Sequence, residues 1–456
     1  MEALEKNQVY TAEITGYSST GAGVCRVAGR AIFVDFALIG EIWEVLILKV
    51  TSTAVFGKGL RLVAPSPERI EPECPHFGKC GGCDLRHMSY REELNLKRSR
   101  VNDAVLRIAG LDFPVAEIIP AEECELDRYR NKVIFNFTTN VEGKAVAGFF
   151  RRRSHDLVPV EDCLLSPELS LRAARALCDF LNHEEFSVYD EKTRKGTVRQ
   201  LFIRCAVRRE GALAVIVSAK GFHGKNEALV EQLRAACPEL TGIVLCINKS
   251  EGNTVLQGKY HTLWGKDFIE DELCGLTFCI SAESFYQINP PQAEKLYNRA
   301  RDLLDENTNT LLDLYCGTGT IALSLADCVN AVYGAEIIAS AVENARENAS
   351  RNSIENASFI CGDAAEAAAM LSARGLTPQA VVVDPPRKGL SPELITTIRR
   401  MEPKQIIYIS CDPATLARDL KELSKPPYAL KALNALDMFP RTCHVETVVL
   451  LSRNNY

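Results

Sequence analysis

From about residue 308 onward the chain alternates, and this constrains its fold more than any other feature. Apolar runs at 310–315, 331–337, 357–361, 380–384 and 405–410 read as strands. Helical segments separate them, for example 339–351 and 392–400. Such repetition predicts a parallel sheet with helices on both faces. A further run at 444–452 follows 430–438 too closely for a helix between them, so these two are expected to pair as a hairpin. In open sheets of this kind, chemistry gathers outside the carboxyl ends of the strands.

Cys411 stands at such an end. It closes the run Ile406-Ile407-Tyr408-Ile409-Ser410 and opens Cys411-Asp412-Pro413-Ala414-Thr415-Leu416. Asp412 is suited to an N-cap and Pro413 to the first helical position. A thiol at a helix N-terminus is expected to ionise more easily, and the thiolate is the nucleophile. Taken alone, Cys411 reads equally well as a buried structural cysteine.

The 456 residues exceed one ordinary core, so several segments are expected. Residues 1–64 read as short strands and turns, which suggests a small β-barrel. Residues 65–95 form a Pro-rich linker with a cysteine cluster, 96–280 a mixed α/β middle segment, and 281–456 the alternating segment. A charged helix is expected over 89–109, but the order of the middle strands cannot be read from the pattern. No apolar run reaches the ~20 residues of a membrane span. The start, Met1-Glu2-Ala3-Leu4-Glu5-Lys6, lacks a signal peptide's basic and apolar stretches, so a cytoplasmic protein is expected, and a monomer by default. A net charge of −6 argues against a wholly basic nucleic-acid coat but leaves room for local basic surface. Arg128-Tyr129-Arg130-Asn131-Lys132, Arg151-Arg152-Arg153 and 192–199 are such clusters. Each taken singly reads as a solvated face, although Tyr129, Phe149 and Phe150 beside them allow base stacking.

Three motifs surround the expected cleft. In Leu311-Leu312-Asp313-Leu314-Tyr315-Cys316-Gly317-Thr318-Gly319-Thr320 a strand runs into a glycine turn that opens a helix. The next strand ends in Glu336, where a carboxylate can accept both hydroxyls of a ribose. Neither GxGxxG nor a Walker sequence occurs. This combination resembles the S-adenosylmethionine-dependent methyltransferases with a Rossmann-like sheet. Asp363, after the third strand, stands where that superfamily contacts adenine, although a surface helix cap explains it as well. Val383-Asp384-Pro385-Pro386-Arg387 resembles the Asp-Pro-Pro-Tyr motif of methyltransferases acting on amino groups, but Arg387 replaces the aromatic.

The third motif is Cys411 with Glu446, expected at the ends of adjacent strands. Carbon 5 of uracil is a poor nucleophile. A thiolate adding to carbon 6 makes an enolate whose carbon 5 can attack a sulfonium methyl. A carboxylate then removes the carbon-5 proton so that the thiol is eliminated. Cytosine methylation also uses a cysteine, usually after proline, whereas Cys411 follows Ser410.

Ser410-Cys411-Asp412-Pro413-Ala414-Thr415-Leu416-Ala417-Arg418-Asp419 and His444-Val445-Glu446-Thr447-Val448 resemble the two signatures of the RNA uracil-5-methyltransferase family. Ser284-Phe285-Tyr286-Gln287-Ile288-Asn289 resembles its motif leading into the methyltransferase domain. The resemblance implies that Gln287, Tyr315, Glu336 and Asp384 bind S-adenosylmethionine, with Asp363 in addition. It implies Cys411 as nucleophile and Glu446 as base. Residues 1–64 resemble the family's TRAM domain, a small OB-like RNA-binding barrel, best at 33–41.

Cys74, Cys80 and Cys83 are followed eighty positions later by Cys163. Four thiolates can hold a structural zinc or an iron–sulfur cluster, and spacing barely separates the two. The family resemblance matches all four to a 4Fe–4S cluster. Members that modify ribosomal RNA commonly carry it, and the tRNA-modifying branch commonly does not. The resemblance therefore implies 23S ribosomal RNA as partner, with a uridine flipped out of an unfolded loop. A tRNA uracil-5-methyltransferase is the enzyme alternative, and a catalytically inactive iron–sulfur RNA-binding protein the alternative of another class.

Overall fold

A computed structural model describes residues 4–250 and 256–453. The outermost residues of the expected first and last segments, and 251–255 of the middle one, lie outside the described residues. So does the first half of the Met1–Lys6 start.

Five strands close the expected barrel: β1 (Val9–Tyr17), β2 (Gly23–Val27), β3 (Arg30–Val34), β4 (Ile42–Val50) and β5 (Val55–Ala64). They pair in the order β1-β2-β3-β5-β4, and β4 returns to β1. Ile14, Cys25, Ile32, Val45, Ile47 and Val55 fill its interior, each fully buried. Glu41 is also buried, and Arg69 of the linker pairs with it through Nε and Nη2. That ion pair pins the linker to the barrel.

Helix α1 (Tyr90–Ala104) begins at Ser89, whose hydroxyl accepts the Glu92 N–H, and runs on into a π-turn over Val105–Ala109. Strand β6 (Glu117–Ile119) follows. This stretch, expected to open the middle segment, packs elsewhere. Val101, Val105 and Ala109 join the core of the last sheet, and β6 adds itself parallel to that sheet's edge. Three residues of strand carry too little pattern to reveal this.

The middle sheet consists of β7 (Lys132–Thr139), β8 (Ala145–Phe150), β9 (Leu157–Pro159), β10 (Val198–Cys205), β11 (Ala212–Ser218), β12 (Leu240–Ile247) and β13 (Lys259–Gly265), in the order β13-β12-β11-β10-β7-β8-β9. Helices α2 (Glu168–His183) and α3 (Asn226–Ala236) cover one face through Leu177, Phe180 and Leu233. A hairpin of β14 (Phe268–Leu273) and β15 (Leu276–Ser281) leads out, and α4 (Pro290–Leu303) begins the alternating part.

There the strands are β16 (Thr310–Leu314), β17 (Ala331–Glu336), β18 (Ala357–Cys361), β19 (Ala380–Val383), β20 (Gln405–Ser410), β21 (Tyr428–Leu436) and β22 (Glu446–Arg453). Between them lie α5 (Thr320–Ser324), α6 (Ala339–Arg351), α7 (Ala364–Ala373), α8 (Pro392–Met401) and α9 (Pro413–Leu423). The sheet order is β18-β17-β16-β19-β20-β22-β21-β6. Its first five strands are parallel and β22 is antiparallel to both neighbours, so the hairpin exists and inserts one strand beside β20. Burial on both faces explains the unbroken apolar runs. Ile407 and Ile409 pack into one core, Ile406 and Tyr408 into the other. Every strand from β16 to β20 therefore ends at one edge, and β22 begins there.

Candidate active site

The glycine turn after β16 is held by unusual backbone. Tyr315 has φ +74°, and its N–H and that of Cys316 both donate to the Ala335 carbonyl, at 3.0 Å each. A left-handed tyrosine is strained, and such strain concentrates at functional sites. Gly319, with φ +84°, caps α5. Glu336, closing β17, accepts the Gly317 N–H at 3.1 Å and the Ile338 N–H at 2.9 Å. Both its oxygens are thereby fixed, yet a carboxylate's further lone pairs remain for ligand hydroxyls. Asp363 caps α7 by accepting the Ala365 N–H at 2.9 Å, and it also lines the cavity.

Asp384 comes directly after β19. Buried Asp419 anchors the loop behind it, accepting the Leu390 N–H at 2.8 Å and the Tyr408 hydroxyl at 2.7 Å. Cys411 follows β20. Asp412 caps α9 through the Ala414 and Thr415 N–H groups, at 3.0 and 2.9 Å, and Pro413 is the first helical residue. Ser410 is opposite Thr447, whose hydroxyl donates to the Ser410 carbonyl at 3.0 Å. That register brings Cys411 and Glu446 to the same sheet edge. Together with Gln287, Tyr315, Glu336, Asp363 and Asp384 they line one cavity of about 760 Å³.

The electrostatics correct one expectation. The Cys411 thiol is pushed up to about 11, not down. Burial is the main cause, Glu446 and Asp384 add to it, and Arg387 opposes. The N-terminus of α9 is outweighed by burial, to which two acids from other strands add. Burial likewise raises Asp384 and Glu446, with Asp384 further raising Glu446 and Arg387 opposing. Two buried carboxylates beside a thiol favour a cation among them, because it permits ionisation. A sulfonium is such a cation, so this acidic donor set fits S-adenosylmethionine.

The loop before Glu446 is tied to the cysteine-bearing linker. Asp84 accepts the Cys443 N–H at 3.2 Å, and the Asp84 and Leu85 N–H groups donate to the Arg441 carbonyl at 2.9 and 3.1 Å. Lys97, fully buried, donates to Glu93 at 2.7 Å, Asp437 at 2.5 Å and the Phe439 carbonyl at 3.1 Å.

Cys74, Cys80, Cys83 and Cys163 line a second cavity, of about 400 Å³. Cys80 is raised by burial and by the charges of Cys163 and Cys74, so these thiols sense one another. Among the described residues no three Cys, His, Asp or Glu side chains gather tightly enough to hold a metal ion. Arg86 and Arg130 share this cavity, and the Nε of each is buried without a partner. Thiolate sulfurs would accept from both, and the residues therefore fit an anionic cluster.

Several lining residues had no assigned role: Lys132, Phe285, Ile337, Ile338, Phe439 and His444. The signal for Ile337 and Ile338 is two apolar residues left exposed directly after an acid strand end, at 65% and 57%. His444 is pushed down to about 4 by burial and Arg387, so its ring is neutral.

A family model described as tRNA (Uracil-5-)-methyltransferase matches residues 257–454, and one described as TRAM domain matches 3–60. A protein of Clostridium tetani described as an uncharacterized RNA methyltransferase is 39% identical over 450 residues, covering 98% of this chain and 97% of its own. A relative of the same description from Staphylococcus epidermidis is 36% identical, covering 99% of each. The crystal structure of Pyrococcus abyssi tRNA (uracil-54, C5)-methyltransferase in complex with S-adenosyl-L-homocysteine aligns with a TM-score of 0.77 at 28% identity, over 97% of this chain and 100% of that one.

Proposed function

This chain belongs to the RNA uracil-5-methyltransferase family, whose enzymes methylate RNA with S-adenosylmethionine, and on that premise we propose that it forms 5-methyluridine in 23S ribosomal RNA. The observation that carries the chemistry is the shared edge of β20 and β22, where one thiol and one carboxylate line the same cavity.

The Cys411 thiolate adds to carbon 6 of the uracil ring and leaves negative charge on the ring. S-adenosylmethionine supplies the methyl group on a sulfonium, and its positive charge offsets Asp384 and Glu446. Glu446, as carboxylate, takes the carbon-5 proton, and Cys411 is eliminated with the ring's double bond restored. Glu336 holds the ribose hydroxyls of the cofactor, with Tyr315, Asp363, Gln287 and Asp384 completing its site. Both faces of the uracil ring are needed, so the base leaves its stack. The barrel and the basic middle segments hold the opened loop.

Cys74, Cys80, Cys83 and Cys163 hold a 4Fe–4S cluster in this reading. Methyl transfer needs no electron from it; its role is to fasten the linker. The cysteine quartet is also what supports ribosomal RNA over tRNA. The second reading, tRNA, is favoured by the structural likeness to the Pyrococcus enzyme. Incubating the purified protein with labelled S-adenosylmethionine and unmodified 23S ribosomal RNA or tRNA separates them. Label in 5-methyluridine of the ribosomal RNA is expected, and label in tRNA alone would overturn the choice.

A further inference from the structure

Lys132 is a cation of the catalytic cavity that the chemistry above does not use, and it comes from a different sheet than Arg387 and Lys388, which line the same cavity beside Asp384. It enters from β7 of the middle sheet, while Cys411, Glu446 and the acids stand on the other sheet. Its position is fixed by its neighbour. The Asn131 N–H donates to the Ile288 carbonyl at 2.9 Å, and Asn131 Nδ2 donates to the Gln287 carbonyl at 2.8 Å. The strand start is thus fastened to the segment that carries Phe285 and Gln287.

The charges that act on Lys132 from its own sheet are of one sign. Arg204 is its partner across the β7–β10 ladder, and Arg130 lies two residues earlier. The Lys132 side chain makes no hydrogen bond or ion pair with any described residue, and no carboxylate is among the charges that act on it. Burial and the two arginines push the ammonium down to about 8. A half-buried ammonium among like charges is unfavourable unless an anion meets it. The acids across the cavity complement a cationic cofactor. A uracil oxygen is neutral until the thiol adds. The permanent anion that travels with this substrate is the phosphodiester.

We propose that Lys132 binds a backbone phosphate of the RNA beside the target uridine and so sets how deep the base reaches toward Cys411. The assignment deepens the reading above and rests on RNA as the substrate. Phe285, 59% exposed on the same cavity, offers a ring against which a base can stack. Lys132 is in this sense a positioning residue, acting on substrate binding rather than on the reacting bonds.

The full-length protein carrying Lys132→Gln or Lys132→Arg tests this against wild type. The probes are unmodified transcripts of 23S ribosomal RNA and tRNA, and S-adenosylhomocysteine. On the transcript that wild type methylates, Lys132→Gln is expected to weaken binding about tenfold. The slope of log affinity against log salt should flatten by ~0.7, one single-strand phosphate contact. S-adenosylhomocysteine affinity should stay unchanged, which also shows that the variant folds. Lys132→Arg should keep most of the RNA affinity. Unchanged RNA affinity and slope would overturn the assignment. So would weakened S-adenosylhomocysteine binding, which would assign Lys132 to the cofactor carboxylate. A loss in kcat alone would assign it to the ring oxygen and overturn it too. A wild type that methylates neither transcript would sink the uracil-C5 reading itself, and with it this role.

Discussion

The two cysteine-bearing cavities reach the same resting state from opposite surroundings. Burial pushes the Cys83 thiol up to about 11, although Arg86 and Arg130 pull it down. Burial pushes Cys411 up to about 11 too, but there Glu446 and Asp384 push with it, and only Arg387 opposes. Desolvation therefore sets both thiols, and it says nothing about their use. The neighbours do. Arginines with unpartnered Nε atoms suit an anionic occupant held by thiolates. Paired buried acids suit a cationic one. On the proposed function, one cavity would keep its sulfurs bonded and the other would free a sulfur for an instant.

The largest break in this comparison comes from removing Cys411. Cys411→Ala should lower methyl transfer by on the order of 10⁴-fold or more, since the nucleophile has no substitute in the cavity. Labelled methyl incorporation into RNA measures it, and retained full activity would end the covalent scheme. Glu446→Gln keeps the side chain's shape but removes the base, so a loss of roughly 10²–10⁴-fold is expected. Its signature differs: Cys411 can still add, so a protein–RNA adduct that survives denaturing electrophoresis should accumulate. Failure to see the adduct would place Glu446 before the addition step.

Cys163→Ser addresses the other cavity. The variant should lose iron and visible absorbance, and its thermal midpoint should fall by ~5 °C or more, because metal binding is coupled to folding. Methyl transfer should persist above the level of both active-site variants. Zinc in place of iron in the wild type would remove the cluster. An intact iron content in the variant would remove Cys163 as a ligand.

The parts of this molecule that were legible are those governed by neighbours in sequence. Ile406 to Ser410 form an unbroken apolar run because β20 is buried on both faces, and Asp412 and Pro413 start the helix behind it. The same logic put Tyr315, Glu336, Asp384 and Cys411 at one edge. Long-range pairing was not legible. β11 and β12 run parallel amid antiparallel neighbours, and three-residue β6 joins the distant β21. The thiol's ionisation failed for the same reason: α9 begins just after Cys411 in sequence, but the burial that raises the thiol, and the acids that add to it from β19 and β22, come from the rest of the fold. Lys132 belonged to a basic cluster read as a solvated face, and only the docking of β7 against Gln287 turns it inward.

The smallest expected effect probes the charge argument itself. S-adenosylmethionine and S-adenosylhomocysteine differ by a methyl group and one positive charge. In the free protein Cys411 titrates near 11, so its thiolate fraction, and with it the rate of alkylation by iodoacetamide, should rise about tenfold per pH unit through neutrality. A cation beside Asp384 and Glu446 favours every ionised form around it, the thiolate included, so it lowers the thiol's pKa. Alkylation of Cys411, read by mass spectrometry across pH, should therefore reach its plateau at lower pH with S-adenosylmethionine than with S-adenosylhomocysteine. A displacement of about one pH unit, worth about 1.4 kcal/mol, is expected. In Glu446→Gln the displacement should persist from a lower starting pKa, because one of the two acids that raise the thiol is gone. Superimposed curves for the two ligands would mean that Arg387 and burial alone govern Cys411, and the contrast between the two cavities would reduce to their desolvation.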